Sequence, residues 1–309
     1  MTIPVSAIIA TRNRPEILKR TILSVLEQSA IPRELIIVDA STDQATRTVL
    51  EGILQNEFSL VYRYSDIAGA ASQREQGINI ATQPTVWFLD DDILLEPDCT
   101  IRLWNGFKAA PNVGAVNAMI TNQRYTAPGL LTRTMYTLMH GRKLASYAGK
   151  IIGPAWNLLP EDTSTLPEYN VCEWLNTTCT MYRRDVLPEP VFPSFFSGYS
   201  LMEDVALSVT IGKTRTLLNA RTARIYHDSQ PGSHKSSVTA LSRMELVNRY
   251  YIMKNILGRT GFHYNVKLTL LQIFALTTSL RFTEGRRGFF KAVFGKFSAI
   301  LFLIKTPLN

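Results

Sequence analysis

The chain has 309 residues, 46% of them hydrophobic and 19% charged, with a net charge of +8. This composition excludes intrinsic disorder, and the length suits one large α/β domain with or without an appendage, ample for a core without disulfide or zinc staples. The charge is uneven: residues 1–204 carry a net −5 and residues 205–309 a net +13, so a uniformly basic nucleic-acid binder is not what the sequence describes and no nucleic acid is expected as a partner.

Residues 5–10 (VSAIIA) are a short apolar run that reads as a strand. The chain reaches it directly from Met1, with no basic and apolar leader, so a signal peptide is not expected. Pro15 suits the first turn of a helix over 15–28, where Ile17, Leu18, Ile22, Val25 and Leu26 recur at helical spacing. Residues 35–38 read as a second strand, 46–54 as a helix, 60–64 as a third strand, 70–81 as a helix, and TVWFL at 85–89 as a fourth strand. Strands alternating with helices imply a mostly parallel sheet covered on both faces. Residues 120–170 give a mixed pattern, 179–182 a further strand, and 239–257 a helix. The small, polar segment 229–237 (SQPGSHKSS) reads as a mobile loop. Cys99, Cys172 and Cys179 are scattered, with no C-x-x-C, and read as free thiols in a reducing compartment.

Two apolar stretches, Val266–Leu280 and Ala292–Ile304, follow. Each is shorter than the ~20 residues a bilayer span needs. Each also holds a lysine, Lys267 or Lys296. Arg281, Arg286, Arg287 and Lys291 interleave with Phe282, Phe289, Phe290, Phe294 and Phe297. A helix lying on an anionic membrane surface fits this mixture, and so does a helical tail packed on the core with a solvated basic face. The coincidence of apolar and basic signals favours the membrane surface.

In open parallel sheets, ligands bind outside the carboxyl ends of the strands. Here the first strand ends in Thr11-Arg12-Asn13-Arg14, the second in Asp39-Ala40-Ser41-Thr42-Asp43 and the fourth in Asp90-Asp91-Asp92. Three strand ends that all deliver polar groups to one edge describe a site for a charged ligand. Three adjacent carboxylates repel one another unless a cation lies among them. If the strand continues through them, Asp90 and Asp92 share one side and Asp91 takes the other. That arrangement suits Mg²⁺ or Mn²⁺ held by one or two carboxylates plus ligand phosphates, although a solvated loop or helix cap uses the same residues. A second acidic pair, Glu203-Asp204, precedes the apolar residues Val205, Ala206, Leu207 and Val209. At a helix start, the dipole alone favours such carboxylates. In a cleft, the same pair supplies a general base. P-loop, dinucleotide, G-x-S-x-G and H-E-x-x-H signatures are missing from the sequence.

Taken in order, SAIIATRNRPEILKRTILSVLEQ (6–28), ELIIVDASTD (34–43), ASQREQGINIAT (71–82), VWFLDDD (86–92), CTMYRRDVL (179–187) and MEDVALS (202–208) resemble a family 2 glycosyltransferase of the GT-A fold, over residues 3 to about 228. The resemblance implies a catalytic domain at 1–228, with a nucleotide-sugar half at about 1–118 and an acceptor half at about 119–228. A loop and helical region at 229–309 would then contact the membrane. It further implies inverting transfer of a sugar from a nucleotide-sugar, with a divalent metal (Mn²⁺ or Mg²⁺), to a glycan or lipid-linked acceptor. The expected location is the cytoplasm, at the inner face of the membrane. By match to the motifs, Thr11, Arg12, Arg14, Asp39 and Asp43 would lie along the nucleotide, with Asp39 accepting the N3–H of uracil or thymine. Arg74 would approach the diphosphate, Asp92 would bind the metal, and Asp90 or Asp91 would serve ribose or metal. His227 would be a late metal ligand, and Asp204 would be the base, with Glu203 its neighbour. The chain departs from the family pattern at Arg74-Glu75-Gln76-Gly77, where the family often reads A-R-N-x-G and the asparagine is replaced, at Asn176-Thr177-Thr178, where a glycine is common, and at Ala206, where an acid is frequent. A sugar nucleotidyltransferase shares the core and metal but carries a glycine-rich loop after its first strand, which TRNRP is not. A catalytically inactive nucleotide-sugar-binding relative is the other alternative.

Overall fold

In the computed structural model, residues 1–53, 58–196, 200–229, 237–282 and 285–306 are described. Most of the expected 229–237 loop, Leu54 of the expected second helix, and the side chains of Arg281 and Phe282 lie outside them. The chain forms two compact units: Met1–Tyr125 with Leu159–Gln230, and Thr126–Leu158 with Pro231–Asn309.

The first unit runs β1 (Thr2–Thr11), α1 (Pro15–Leu26), β2 (Ile31–Asp39), α2 (Ala45–Glu51), β3 (Ser59–Tyr64), α3 (Ala70–Ile80), β4 (Thr85–Asp90), β5 (Ile93–Leu95), α4 (Cys99–Gly106) and β6 (Val113–Ile120). The second unit's first segment supplies α5 (Leu130–His140), β7 (Ile151–Ile152) and β8 (Trp156–Asn157). The first unit resumes with β9 (Tyr169–Val171), β10 (Cys179–Arg183), α6 (Glu203–Gly212) and β11 (Thr216–His227). Among the described residues, nine strands form one sheet in the order β3-β2-β1-β4-β10-β6-β11-β5, with β9 on β11. β3, β2, β1 and β4 pair in parallel, β10 runs antiparallel between β4 and β6, and β11 is parallel to β6.

Strand alternation builds the core on both faces. Ile3, Val5, Ala7 and Ile9 of β1 face α1 and α4 through Leu18, Ile22, Val25 and Leu103. Ile8 points the other way and packs with Val86, Phe88, Ile78 of α3 and Leu207 of α6. Gly77 lets α3 approach β1: a Cβ there would lie 2.4 Å from Ile8 Cγ2. The three cysteines are buried and unbridged.

The second unit continues with α7 (Val238–Tyr251), α8 (Phe262–Phe282) and α9 (Gly285–Lys305). Ser237 caps α7, its hydroxyl accepting the Ala240 N–H. Tyr136 of α5 packs edge-on against Trp156 at 4.8 Å. Lys267 Nζ donates to the Met139 carbonyl at 2.8 Å. α7 and α9 approach closely, because a Cβ at Gly295 would lie 2.3 Å from the Thr239 carbonyl oxygen. Inside this packing, Glu245 accepts from Arg249 at 2.5 Å and from Lys296 at 3.0 Å, and Lys296 also donates to Gln272. Burial alone would raise Glu245, but the two cations hold it down at about 2. No helix among the described residues is long and apolar enough to cross a membrane.

Candidate active site

The sheet register brings the expected strand ends together. Thr11 is the partner of Asp39, and Ala10 is the partner of Asp90. Gln73 of α3 joins the first two strands: its Nε2 donates to the Thr11 carbonyl at 2.8 Å and to the Val38 carbonyl at 2.7 Å. The loop after β1 is fastened to the loop after β2 by the Asn13 N–H on Ser41 Oγ (2.7 Å) and the Thr42 N–H on Asn13 Oδ1 (2.9 Å). Asn13 has φ 55, a left-handed conformation that asparagine tolerates.

β4 ends at Asp90, so Asp91 and Asp92 occupy a turn and do not continue the strand. They still diverge. Asp91 is buried and accepts from Thr11 Oγ1 at 2.7 Å and Arg14 Nη1 at 3.2 Å. Burial pushes its carboxyl up to about 6, against the pull of those two groups. Asp90, Asp92 and His227 come together, with one ligand atom from each within 4.8 Å of the others. His227 reaches this point because β11 pairs with β5, directly after the aspartates, with His227 opposite Ile93. The Asp228 N–H also donates to the Asp92 carbonyl at 2.8 Å.

Two carboxylates and an imidazole fit a divalent cation of the Mn²⁺ or Mg²⁺ class. In the structure His227 Nε2 lies 3.0 Å from Asp92 Oδ1, and Nδ1 lies 3.2 Å from Gln123 Nε2. The Gln123 amide thus holds the imidazole by Nδ1 and leaves Nε2 as the nitrogen that faces the aspartates, the one a cation there would take. Arg14 Nη1 is 3.5 Å from Asp92 Oδ2.

Arg74 is 4% exposed and pairs with Asp90 through Nη2 and with Glu203 through Nη1, each at 2.6 Å. Burial would lower its pKa, but the two carboxylates raise it. Glu203 is buried in turn, and burial pushes its carboxyl up to about 7, against the pull of Arg74. Asp204, half-buried at the start of α6, is pushed up to about 6 by burial, against the Val205 N–H that it accepts at 2.8 Å.

Asp39 is fully buried. It accepts from the Ser41 N–H and hydroxyl and, at 3.1 Å, from the Tyr62 hydroxyl. Burial and the Asp39 charge raise Tyr62 to about 12. Two of the expected residues stand apart from this cluster. Arg12 is exposed, and exposed Asp43 accepts the Ala45 N–H at 3.0 Å, where it steadies the start of α2. Gln73, Tyr62 and Gln123 lie outside the polar strand ends that the sequence marks, whereas Asn13 and Ser41 lie within those ends with no role of their own assigned. Gln73, in line with Ala70 and Gly77 along one side of its helix, is the available signal for the first of them.

The model of the family described as "Glycosyl transferase family 2" matches residues 6–189, more than half of the chain. The chain belongs to glycosyl transferase family 2. This family 2 chain is 25% identical over 284 residues to an uncharacterized glycosyltransferase of Nostoc sp., a match covering 86% of this chain and 79% of that one. A poly-beta-1,6-N-acetyl-D-glucosamine synthase of Staphylococcus epidermidis is 30% identical over 122 residues, which is 38% of this chain. The chain spans only 29% of that synthase. Among solved structures, S. aureus TarS 1-349 in complex with UDP-GlcNAc is similar at TM-score 0.58 and 16% identity, over 95% of this chain and 79% of that one. The mannosyltransferase PcManGT from Pyrobaculum calidifontis, in complex with GDP-Man and Mn²⁺, is similar at TM-score 0.55 and 15% identity, over 97% and 87%. These likenesses establish the GT-A fold: an α/β architecture around the mixed central sheet, with a helical C-terminal region.

Proposed function

We propose that the chain is an inverting glycosyltransferase that moves a sugar from a UDP- or dTDP-sugar to an acceptor hydroxyl. The observation that carries this reading is the Arg74 guanidinium, which joins Asp90 of the candidate metal group to Glu203 beside Asp204. One buried cation thus gathers the donor-side acids and the start of α6.

Asp204 acts as the base. As the acceptor oxygen bonds to the anomeric carbon, the bond from that carbon to the diphosphate oxygen breaks. The acceptor's proton passes to Asp204, and the nucleoside diphosphate leaves from the opposite face. A carboxyl near pKa 6 is ionised at neutral pH and remains basic enough to take that proton. Asp90, Asp92 and His227 would hold Mn²⁺ or Mg²⁺, which supplies Lewis-acid stabilisation of charge on the departing diphosphate. Thr11 and Arg14 orient Asp91 against this group. Asp39 serves the base of the nucleotide: a carboxylate offers about four acceptor positions, and Ser41 and Tyr62 occupy three of them. Arg74 acts chiefly as a strut, because reaching a diphosphate would break one of its pairs.

The acceptor is a glycan or lipid-linked saccharide in cell-surface polysaccharide or glycolipid assembly, and the enzyme works peripherally at the inner face of the cytoplasmic membrane. Asp204→Asn tests the assignment. Transfer should be abolished, while a thermal-shift titration with UDP-, dTDP- and GDP-sugars plus Mn²⁺ still reports donor binding. Near-normal transfer by this variant would refute Asp204 as base.

A further inference from the structure

α9 is built the wrong way round for a helix that ends in water. A surface helix normally turns its apolar stripe inward and its charges outward. The inward stripe of α9 is instead Gly288, Ala292, Gly295 and Ala299, all buried, and its inward lysine, Lys296, is bound to Glu245. Small residues there allow the close approach to α7. Six bulky residues are left outside: Phe290, Phe294, Phe297, Ile300, Leu301 and Ile304 share one face of the helix, with Phe290 67%, Phe294 66% and Ile304 72% exposed. At 1.5 Å per residue this stripe is roughly 21 Å long. α8 shows a second exposed stripe of the same kind, with Phe262, Val266, Leu270 and Ile273.

We infer that the outer face of α9 docks in the plane of an anionic lipid surface. The inference rests on the membrane-side reading above and names the surface responsible. Exposed Arg286, Arg287 and Lys291 flank the stripe at one end, and exposed Lys305 stands at the other. Neither 262–282 nor 285–305 contains an aspartate or glutamate. Apolar side chains rimmed by cations match the acyl boundary and headgroups of a negatively charged leaflet. A second copy of the chain is the poorer occupant. Whether two α9 helices met parallel or antiparallel, basic ends would face basic ends, because a two-fold contact presents the same patch from each side.

The test is co-sedimentation of the full chain with phosphatidylcholine vesicles, with and without phosphatidylglycerol. The wild type should bind the anionic vesicles and be released by salt. The pairs Phe294→Asp/Phe297→Asp and Arg286→Glu/Arg287→Glu should each lose about ten-fold or more of that binding. Both should keep the wild-type donor-induced thermal shift, since none of these residues belongs to the site. The charge pair alters only exposed side chains and keeps the test decisive if the aspartates disturb folding. Wild-type-like binding by both pairs would overturn α9 as the docking face and leave the membrane-side reading standing. Failure of the wild type to bind either vesicle would overturn both. A concentration-dependent dimer that the aspartate pair dissociates would overturn the inference in favour of a second copy.

Discussion

Glu203→Gln isolates the balance of forces around Arg74. The Glu203 carboxyl is raised by burial from an ordinary 4.5 to about 7, despite a 2.6 Å contact with the guanidinium. The folded chain therefore keeps a proton that the unfolded chain releases between those two values. A raised carboxyl costs nothing below about pH 4, and its penalty grows as pH rises toward 7 and is complete above it. The gap of about 2.5 units corresponds to roughly 3 kcal/mol. Glutamine is the isostere of the neutral form at every pH, and Arg74 retains Asp90. The variant should match the wild type near pH 4 and exceed it by up to roughly 3 kcal/mol at pH 8, a gain of roughly 5 °C or more in melting temperature. Thermal melts of the metal-free protein at the two pH values measure this difference. A variant less stable than the wild type at pH 8, with the deficit growing from pH 4, would refute the reasoning, because pairing with Arg74 would then outweigh burial.

The remaining expectations are independent of that one. If Asp204 must be ionised to act, kcat/KM should fall as pH drops through about 6, roughly ten-fold per pH unit below it, in a pH–rate profile. Asp92→Ala should weaken donor binding in the presence of Mn²⁺ and leave the small metal-free binding unchanged, as read by calorimetry with and without the ion. Gly77→Ala should cost roughly 1–3 kcal/mol in denaturant unfolding through its clash with Ile8, and Ile8→Ala in the same chain should cost less than it does alone. Glu245 is held at about 2, below its ordinary value, so its contribution is complete above about pH 4.5 and is lost as pH falls through 2. Glu245→Gln should therefore lower stability by roughly 3 kcal/mol at pH 7, a gap that closes in acid melts.

The framework of the site was legible because it depends on period and position. The short apolar run at 5–10 marks a buried strand, and the polar residues that end each apolar run mark the carboxyl edge. Asp90 and Asp92 share a side as alternation requires, although the strand stops at Asp90 and a turn does the work. What stayed hidden depends on pairings between distant elements, which no local pattern encodes. Nothing near Arg74 announces that Glu203 will meet it, and nothing near Asp39 announces the Tyr62 hydroxyl. β11 escaped notice because Arg221, Thr222 and Arg224 interrupt its apolar rhythm where its register on β6 shifts. In α9 the spacing identifies a helix, but only packing reveals which stripe lies inside.

The pairing of β5 with β11 has a bearing on how the pocket is made. A chain emerging from the ribosome has Asp90 and Asp92 early, yet the imidazole of His227 and the amide of Asp228 that steadies Asp92 arrive well over a hundred residues later. Until that distant strand zips onto the three residues after the acids, the nascent domain holds two carboxylates in an open turn with no third arm. Closure of the sheet's far margin and assembly of the Asp90, Asp92 and His227 group are therefore one event.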